Sequence, residues 1–467
     1  MKDMTVAVSV MILIVSLSDF GYAQQNPEVE LFTVEVAQPE DPKFEESVFG
    51  EGPLVQVGSD IGDLVVFQKA GINRDLDTVQ GKLLSALDFP AEPLVNFPIN
   101  RSGLQLSDQY FLKVNWDNKY IVGRPVQSID NPATDFTVLE PNSAIFAYRF
   151  YIDDQFLILA QNKEFYGKRV DEIHNAQTTS FQFIGKSGVN TRIIWSDKYV
   201  AWVDVREDGR TPFLRVKGIE DIFNAQISAA EIGGNFGPLF GFVGESRVVY
   251  GCAPDQIHYS FCYTDLDAPD RQEKVIKVFE PAPDRAPGVY YTVLTNQYLF
   301  WVEQYFDGEL GFQDLVFAWP VNTLDDPDAI FNVTTHGSGA GNLHADENVA
   351  VWNGVDVILE NNPLGGIDIK FGSSGIYGAR LPWLFVRGDA NEDGRIDLTD
   401  AIFIFKHVSL QGQSPRCQDA EDVDDNGDIE ETDGKILLNY LFLGGPPPES
   451  PFPEMGKDPT LDNLACQ

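Results

Sequence analysis

One phrase, an acidic or amide residue leading within a few positions into an apolar run, returns seven times along this chain. It reads DLVVF at 63–67, DQYFLKV at 108–114, DQFLILA at 154–160, DKYVAWV at 197–203, ESRVVYG at 245–251, NQYLFWV at 296–302 and DENVAVW at 346–352. Successive copies start 43 to 51 residues apart. Most are followed by a polar turn, a second strand-like run such as Phe213–Val216 or Asp314–Trp319, and a third such as Phe136–Leu139 or Val275–Phe279. A period in the forties with three or four strands per unit predicts the blades of a β-propeller, in which neighbours stack to bury both faces of each sheet. Runs apolar at nearly every position fit strands covered on both sides. A pair of β-sandwiches is the rival fold, but it does not by itself produce a regular recurrence. The count is about seven blades, with six or eight open because the first copy is degenerate.

The expected fold class is therefore mainly β, with a propeller over 51–386 and a small helical domain over 387–467. The phrases YVAWVDVREDG and YLFWVEQYFDGE are similar to blade strands of TolB-type propellers. Ahead of the ring, 24–50 reads as a polar leader with one strand expected at Glu30–Ala37, placed to close a sheet later. Residues 1–23 pair Lys2 with an apolar run from about Val6 to Leu17 and small residues at Gly21 and Ala23, the pattern of an export signal cleaved after Ala23. The run is short for a membrane anchor, and no second apolar stretch of that length follows, so no membrane span is expected.

Near the C-terminus one twelve-residue pattern occurs twice, as DANEDGRIDLTD from Asp389 and DVDDNGDIEETD from Asp422. Oxygen-bearing side chains fall at positions 1, 3, 5, 9 and 12: Asp389, Asn391, Asp393, Asp397 and Asp400, then Asp422, Asp424, Asn426, Glu430 and Asp433. Position 6 is Gly394 or Gly427, and position 7, Arg395 or Asp428, would contribute only its backbone carbonyl. A hard cation that takes six to eight oxygens needs this spacing, a sharp turn at glycine and a closing carboxylate, so two Ca2+ ions are expected. An Asx-rich surface turn would explain a single copy, but not two in one register. Each loop runs into an apolar stretch at helical spacing, LTDAIFIFKHV or ETDGKILLNYLFLGG, whereas LPWLFVRG upstream reads as strand and turn.

That half-motif, duplicated about 33 residues apart, resembles a type I dockerin module, and the ending LNYLFLGGPPPESPFPEMGKDPTLDNLACQ resembles the dockerin-like tails of secreted planctomycete proteins. The resemblance implies a fold that depends on calcium and a cohesin-like partner. It also implies partner contacts at loop positions 10 and 11, here Leu398, Thr399, Glu431 and Thr432. Such tails often carry a further cysteine where this chain has Met455.

Asp and Glu number 71 against 33 Lys and Arg, a net charge of −38. Such a surface repels phosphate backbones, which argues against a nucleic-acid partner. Four cysteines in a chain bound for export suggest two disulfides. Of the three pairings, Cys252 with Cys262 and Cys417 with Cys466 is the expected one. No CxxC spacing supports zinc.

Catalytic signals are sparse. None of His174, His258, His336, His344 and His407 sits in a metal-ligand spacing, and His336-Gly337-Ser338-Gly339 does not match the nucleophile frame. Asp204 and Glu303 each follow a Trp-Val strand ending and could form a carboxylate pair, but strand-ending turns explain them equally well. No catalytic residue is assigned. The expected function is an exported calcium-binding protein whose dockerin-like module tethers a propeller to a cohesin-like protein or extracellular assembly, with polysaccharide as a further ligand. The alternative is a dockerin-bearing carbohydrate-active enzyme, a hydrolase of O-glycosyl bonds or a lyase.

Overall fold

The computed structural model describes residues 29–37, 54–59, 62–69, 78–86, 97–98 and 104–466, the last stretch interrupted at 116–118, 142, 144–148, 154, 188–191, 208, 210, 234–235, 256, 280–284, 308–310, 335–340, 363–365, 411, 413, 461 and 465. The export signal expected at 1–23 and the His336-Gly337-Ser338-Gly339 stretch lie outside them.

Seven four-stranded antiparallel sheets follow one another as blades. Each copy of the recurrent phrase supplies the second strand of a blade, from Gly62–Lys69 through Tyr199–Val205 to Val349–Asn362. First strands of neighbouring blades abut, and Leu54–Ser59 of the first blade meets Gly341–Asp346 of the seventh. The seventh blade takes its fourth strand from the far end of the chain: Glu30–Ala37 pairs antiparallel with Gly366–Arg380, Phe32 opposite Gly378. This pairing joins the two ends of the ring by a sheet rather than by side chains alone.

The apolar runs have a simple cause. Along a strand, successive side chains point to opposite faces, so in a blade they meet different neighbours. Leu157 and Leu159 pack toward the second blade, Phe156 and Ile158 toward the fourth. Likewise Leu299 and Trp301 face the fifth blade while Tyr298, Phe300 and Val302 face the seventh. Each of these residues is buried, and burying one large apolar side chain contributes roughly 1.5–3 kcal/mol. Trp202, Trp301, Trp319 and Trp352 lie within these interfaces. Tyr305 is buried in the second strand of the sixth blade with its hydroxyl on Glu303 Oε2 at 2.9 Å.

A second recurrence appears where the third strand ends. Lys168 Nζ donates to the carbonyls of Val138 (3.0 Å), Ile173 (3.1 Å) and Asn175 (2.8 Å). Lys217 Nζ binds Ile222 O at 3.3 Å and Asn224 O at 2.8 Å, Arg124 Nη1 binds Ile129 O at 2.6 Å, and Trp319 Nε1 binds Thr323 O at 2.9 Å. In each case a donor one residue before the strand end satisfies carbonyls of the 3-10 turn that follows, groups that would otherwise be buried unpaired. Cys252 and Cys262 form a disulfide between the second and third strands of the fifth blade.

Leu381 and Leu384 carry the chain off the ring while packed in the core between the sixth and seventh blades. Beyond them lie two helices, α1 (Leu398–Leu410) and α2 (Glu431–Leu443). Ala401 and Ile404 of α1 meet Leu437 of α2 over Ala390 and Val423. The C-terminal segment returns to the ring: Met455 packs against the core between the sixth and seventh blades, its carbonyl accepts from Asn322 Nδ2, and Phe385 pairs with Gly456. Arg395 Nη2 to Glu245 Oε1 at 3.0 Å and Arg416 Nη1 to Glu347 Oε1 at 3.3 Å join the module to turns of the fifth and seventh blades.

Candidate metal centre

The two acidic loops have the same backbone. Glu392 and Asp425 at position 4 have φ of 58° and 56°, and Gly394 and Gly427 at position 6 have φ of 79° and 83°. Left-handed backbone at position 6 explains the glycine, since a side chain there carries a steric cost. The turn brings the position 6 amide onto the first carboxylate, Gly394 N to Asp389 Oδ2 at 3.0 Å and Gly427 N to Asp422 Oδ2 at 2.8 Å. The position 7 amide binds the position 5 side chain, Arg395 N to Asp393 Oδ1 at 3.0 Å and Asp428 N to Asn426 Oδ1 at 2.9 Å.

Closing carboxylates sit at the helix starts. Asp400 accepts from Asn391 N at 3.2 Å and Asp397 N at 2.8 Å; Asp433 accepts from Val423 N and Glu430 N, both at 2.8 Å. Glu430 and Asp433 form a reciprocal capping box on α2, which ties the end of the second loop to the first turn of the helix. Each loop thus has an exiting helix but no entering one: a 3-10 turn, Gln418–Ala420, precedes the second.

The donor set suits a hard divalent cation. One carboxylate oxygen from each of Asp422, Asp424 and Asp433 lies within 4.8 Å of the others. Asp389 Oδ1 and Asp424 Oδ1 are buried with no hydrogen-bond donor. Burial, then the neighbouring Asp400, pushes the Asp389 carboxyl up to about 7, and burial followed by Asp424 and Asp422 pushes Asp433 up to about 6. Burial likewise raises Asp400 and Asp422. Carboxylates crowded with like charge, and with lone pairs left over, are what a bound cation satisfies.

Leu398 and Thr399 begin α1, and Glu431 and Thr432 begin α2. All four are exposed, Leu398 to 46%. Glu431 also bridges the helices, accepting from Ser409 Oγ at 2.9 Å and Lys435 Nζ at 3.1 Å. The expected disulfide joins Cys417 to Cys466. His407, in the last turn of α1, binds the buried Glu421 at 2.6 Å.

Arg387, two residues ahead of the first loop, escaped the sequence reading. It is fully buried and donates to the carbonyls of Ser450 (2.9 Å), Asp419 (2.9 Å) and Asp422 (2.6 Å) and to the carboxylates of Asp425 (2.8 Å) and Asp458 (2.7 Å). The one available signal was a lone arginine at the edge of a strongly acidic stretch.

On the ring, Asp204 and Glu303 occupy equivalent places in the second strands of the fourth and sixth blades. Both are buried and engaged within their own blades. Asp204 Oδ2 holds Arg215 Nε at 2.6 Å; Glu303 accepts from Trp301 Nε1 at 2.7 Å and the Tyr305 hydroxyl.

Residues 387–442 match the family model of the Dockerin type I domain. Dockerin domains bind calcium and cohesin partners, and proteins that carry them are usually extracellular. No curated protein matches the chain. Among solved structures, Hsv2 of Kluyvelomyces marxianus is 8% identical over 70% of this chain and 97% of its own, with a TM-score of 0.39. The β-propeller domain of the Trilobed protease from Pyrococcus furiosus is 12% identical over 69% and 95%, with a TM-score of 0.43. TolB from Acinetobacter baumannii is 9% identical over 62% and 65%, with a TM-score of 0.36. Likeness of this order carries nothing of what those proteins do over to this chain. Among the described residues, no helix is long and apolar enough to cross a membrane.

Proposed function

We propose that this chain is an exported protein in which two calcium ions shape a C-terminal docking module that tethers a seven-blade propeller to a cohesin-like partner or extracellular assembly. The observation that carries the reading is the pair of loops in one register, each with left-handed backbone at positions 4 and 6 and a buried carboxylate oxygen without a donor.

Asp389, Asn391, Asp393, Asp397 and Asp400, with the Arg395 carbonyl, would hold one ion; Asp422, Asp424, Asn426, Glu430 and Asp433, with the Asp428 carbonyl, would hold the other. Each ion supplies positive charge at the start of its helix, which lets the buried acids ionise together. The exposed first turns of the two helices, with Leu398 and Thr399 on one and Glu431 and Thr432 on the other, are the surface offered to the partner. Because those pairs differ in chemistry, the two helix starts present different contacts, and one docking orientation is favoured.

The ring is the cargo, and its engaged Asp204 and Glu303 support a binding role over glycoside hydrolysis. Export through residues 1–23 would bring the module to millimolar extracellular calcium. The test is capture of a cohesin domain by the full chain in calcium and in chelator. Binding lost on chelation, and lost in Asp400→Asn with Asp433→Asn, supports the tether; capture indifferent to calcium overturns it.

A further inference from the structure

We propose a third divalent-cation site, outside the two loops, built from Asp419, Asp458 and Asp462 and closing the C-terminal tail onto the turn that precedes the second loop. One oxygen of each carboxylate lies within 4.8 Å of the other two. Proximity alone is no argument, since acidic groups crowd many surfaces of so acidic a chain. The decisive residue is Asp419, which is only 5% exposed.

Its Oδ1 is buried and meets no hydrogen-bond donor. Its Oδ2 faces the sulfur of Cys466 at 3.4 Å, and that sulfur, bound to Cys417, has no proton to give. A buried carboxylate without a donor is costly unless a cation compensates it. The Arg387 charge acts on Asp419 through space but gives its carboxylate no hydrogen bond. The guanidinium is spent on Asp425, Asp458 and three backbone carbonyls. Among the described residues, no basic side chain forms an ion pair with Asp419 or Asp462.

The surroundings suit calcium. All three side chains offer oxygen, and the Thr460 hydroxyl lies 3.2 Å from Asp458 Oδ2. Asp462 is exposed, which leaves a path for the ion and room for water to complete six to eight ligands. A bound ion would fasten 458–462 to the Gln418–Ala420 turn beside the Cys417–Cys466 bridge, so metal and disulfide would hold the same tail from two sides.

Asp462 also groups with Asp422 and Asp425 of the second loop, so the test must separate the two sites. Full-length protein stripped by chelator is dialysed against Ca2+, and bound equivalents per chain are counted. Asp462→Asn, at an exposed position, is expected to bind one equivalent fewer than wild type, and Asp419→Asn the same. In an Asp433→Asn background, Asp462→Asn is expected to remove one further equivalent. An unchanged count in Asp462→Asn overturns the proposal. So does the absence of further loss in the Asp433→Asn background, which would assign Asp462 to the second loop. Loss of the loop equivalents with retention of the one sensitive to Asp462 would overturn the paired-loop reading and leave this site standing.

Discussion

Arg387 Nη2 stands 2.7 Å from Asp458 Oδ1, a partly buried contact between the entrance of the first acidic loop and the C-terminal tail 71 residues later. The same guanidinium holds the second loop through Asp422 O and Asp425. Removing a buried charge that satisfies several partners costs about 3–5 kcal/mol, because the partners stay behind unpaired. Arg387→Met is therefore expected to unfold the C-terminal module at temperatures where the ring persists. Thermal melts followed by helical circular dichroism check this, and a midpoint within a degree or two of wild type counts against it.

Chelation is expected to act on the module and spare the ring. The helices α1 and α2 share a small core and depend on the loops that precede them, whereas the propeller draws its stability from packing between blades. Stripping calcium is expected to lower the helical signal and the hydrogen-exchange protection of 387–466 while protection in the blades holds. Equal loss in both regions would mean that the metal supports the whole fold.

Lys168 carries a prediction with a pH window. Its ammonium is buried and binds three carbonyls, so Lys168→Met is expected to cost on the order of 2–4 kcal/mol. Burial pushes the group down to about 8 in the fold, against about 10.4 in an unfolded chain. Between those values the unfolded chain binds more protons, so the stability contributed by Lys168 rises with pH there and is flat below about 8. The gap in melting temperature between wild type and Lys168→Met is expected to widen from pH 8 to 10. A gap that narrows contradicts the sign.

Gly378 tests the closure of the ring. A Cβ there would lie 2.4 Å from the Phe32 ring and 2.9 Å from the Ala350 carbonyl. Overpacking of this kind costs about 1–3 kcal/mol. In Gly378→Ala, the amides of Glu30–Ala37 are expected to exchange faster than in wild type, with the middle blades unaffected. Unchanged protection of that strand would show that the closure tolerates a shifted backbone.

Two features were legible in the residues because their physics is local. A strand covered on both faces must be apolar throughout, so seven strands of that kind printed seven apolar runs at a regular spacing. Within a loop, ligand spacing, glycine and closing carboxylate all fall inside twelve residues, and the structure folds both loops alike. The donor before four of the 3-10 turns was legible too: Arg124, Lys168, Lys217 and Trp319 each stand two residues ahead of an aliphatic residue, Val126, Val170, Ile219 or Val321. Tertiary structure alone decided the rest. Only the closed ring makes Glu30–Ala37 the fourth strand of the seventh blade, only the folded tail gives Arg387 its partners, and only the two together with the Cys417–Cys466 bridge set Asp419 against Asp458 and Asp462. These contacts join residues tens to hundreds of positions apart. Neither partner carries a local pattern that names the other, because chain neighbours do not share the cost of leaving such groups unpaired.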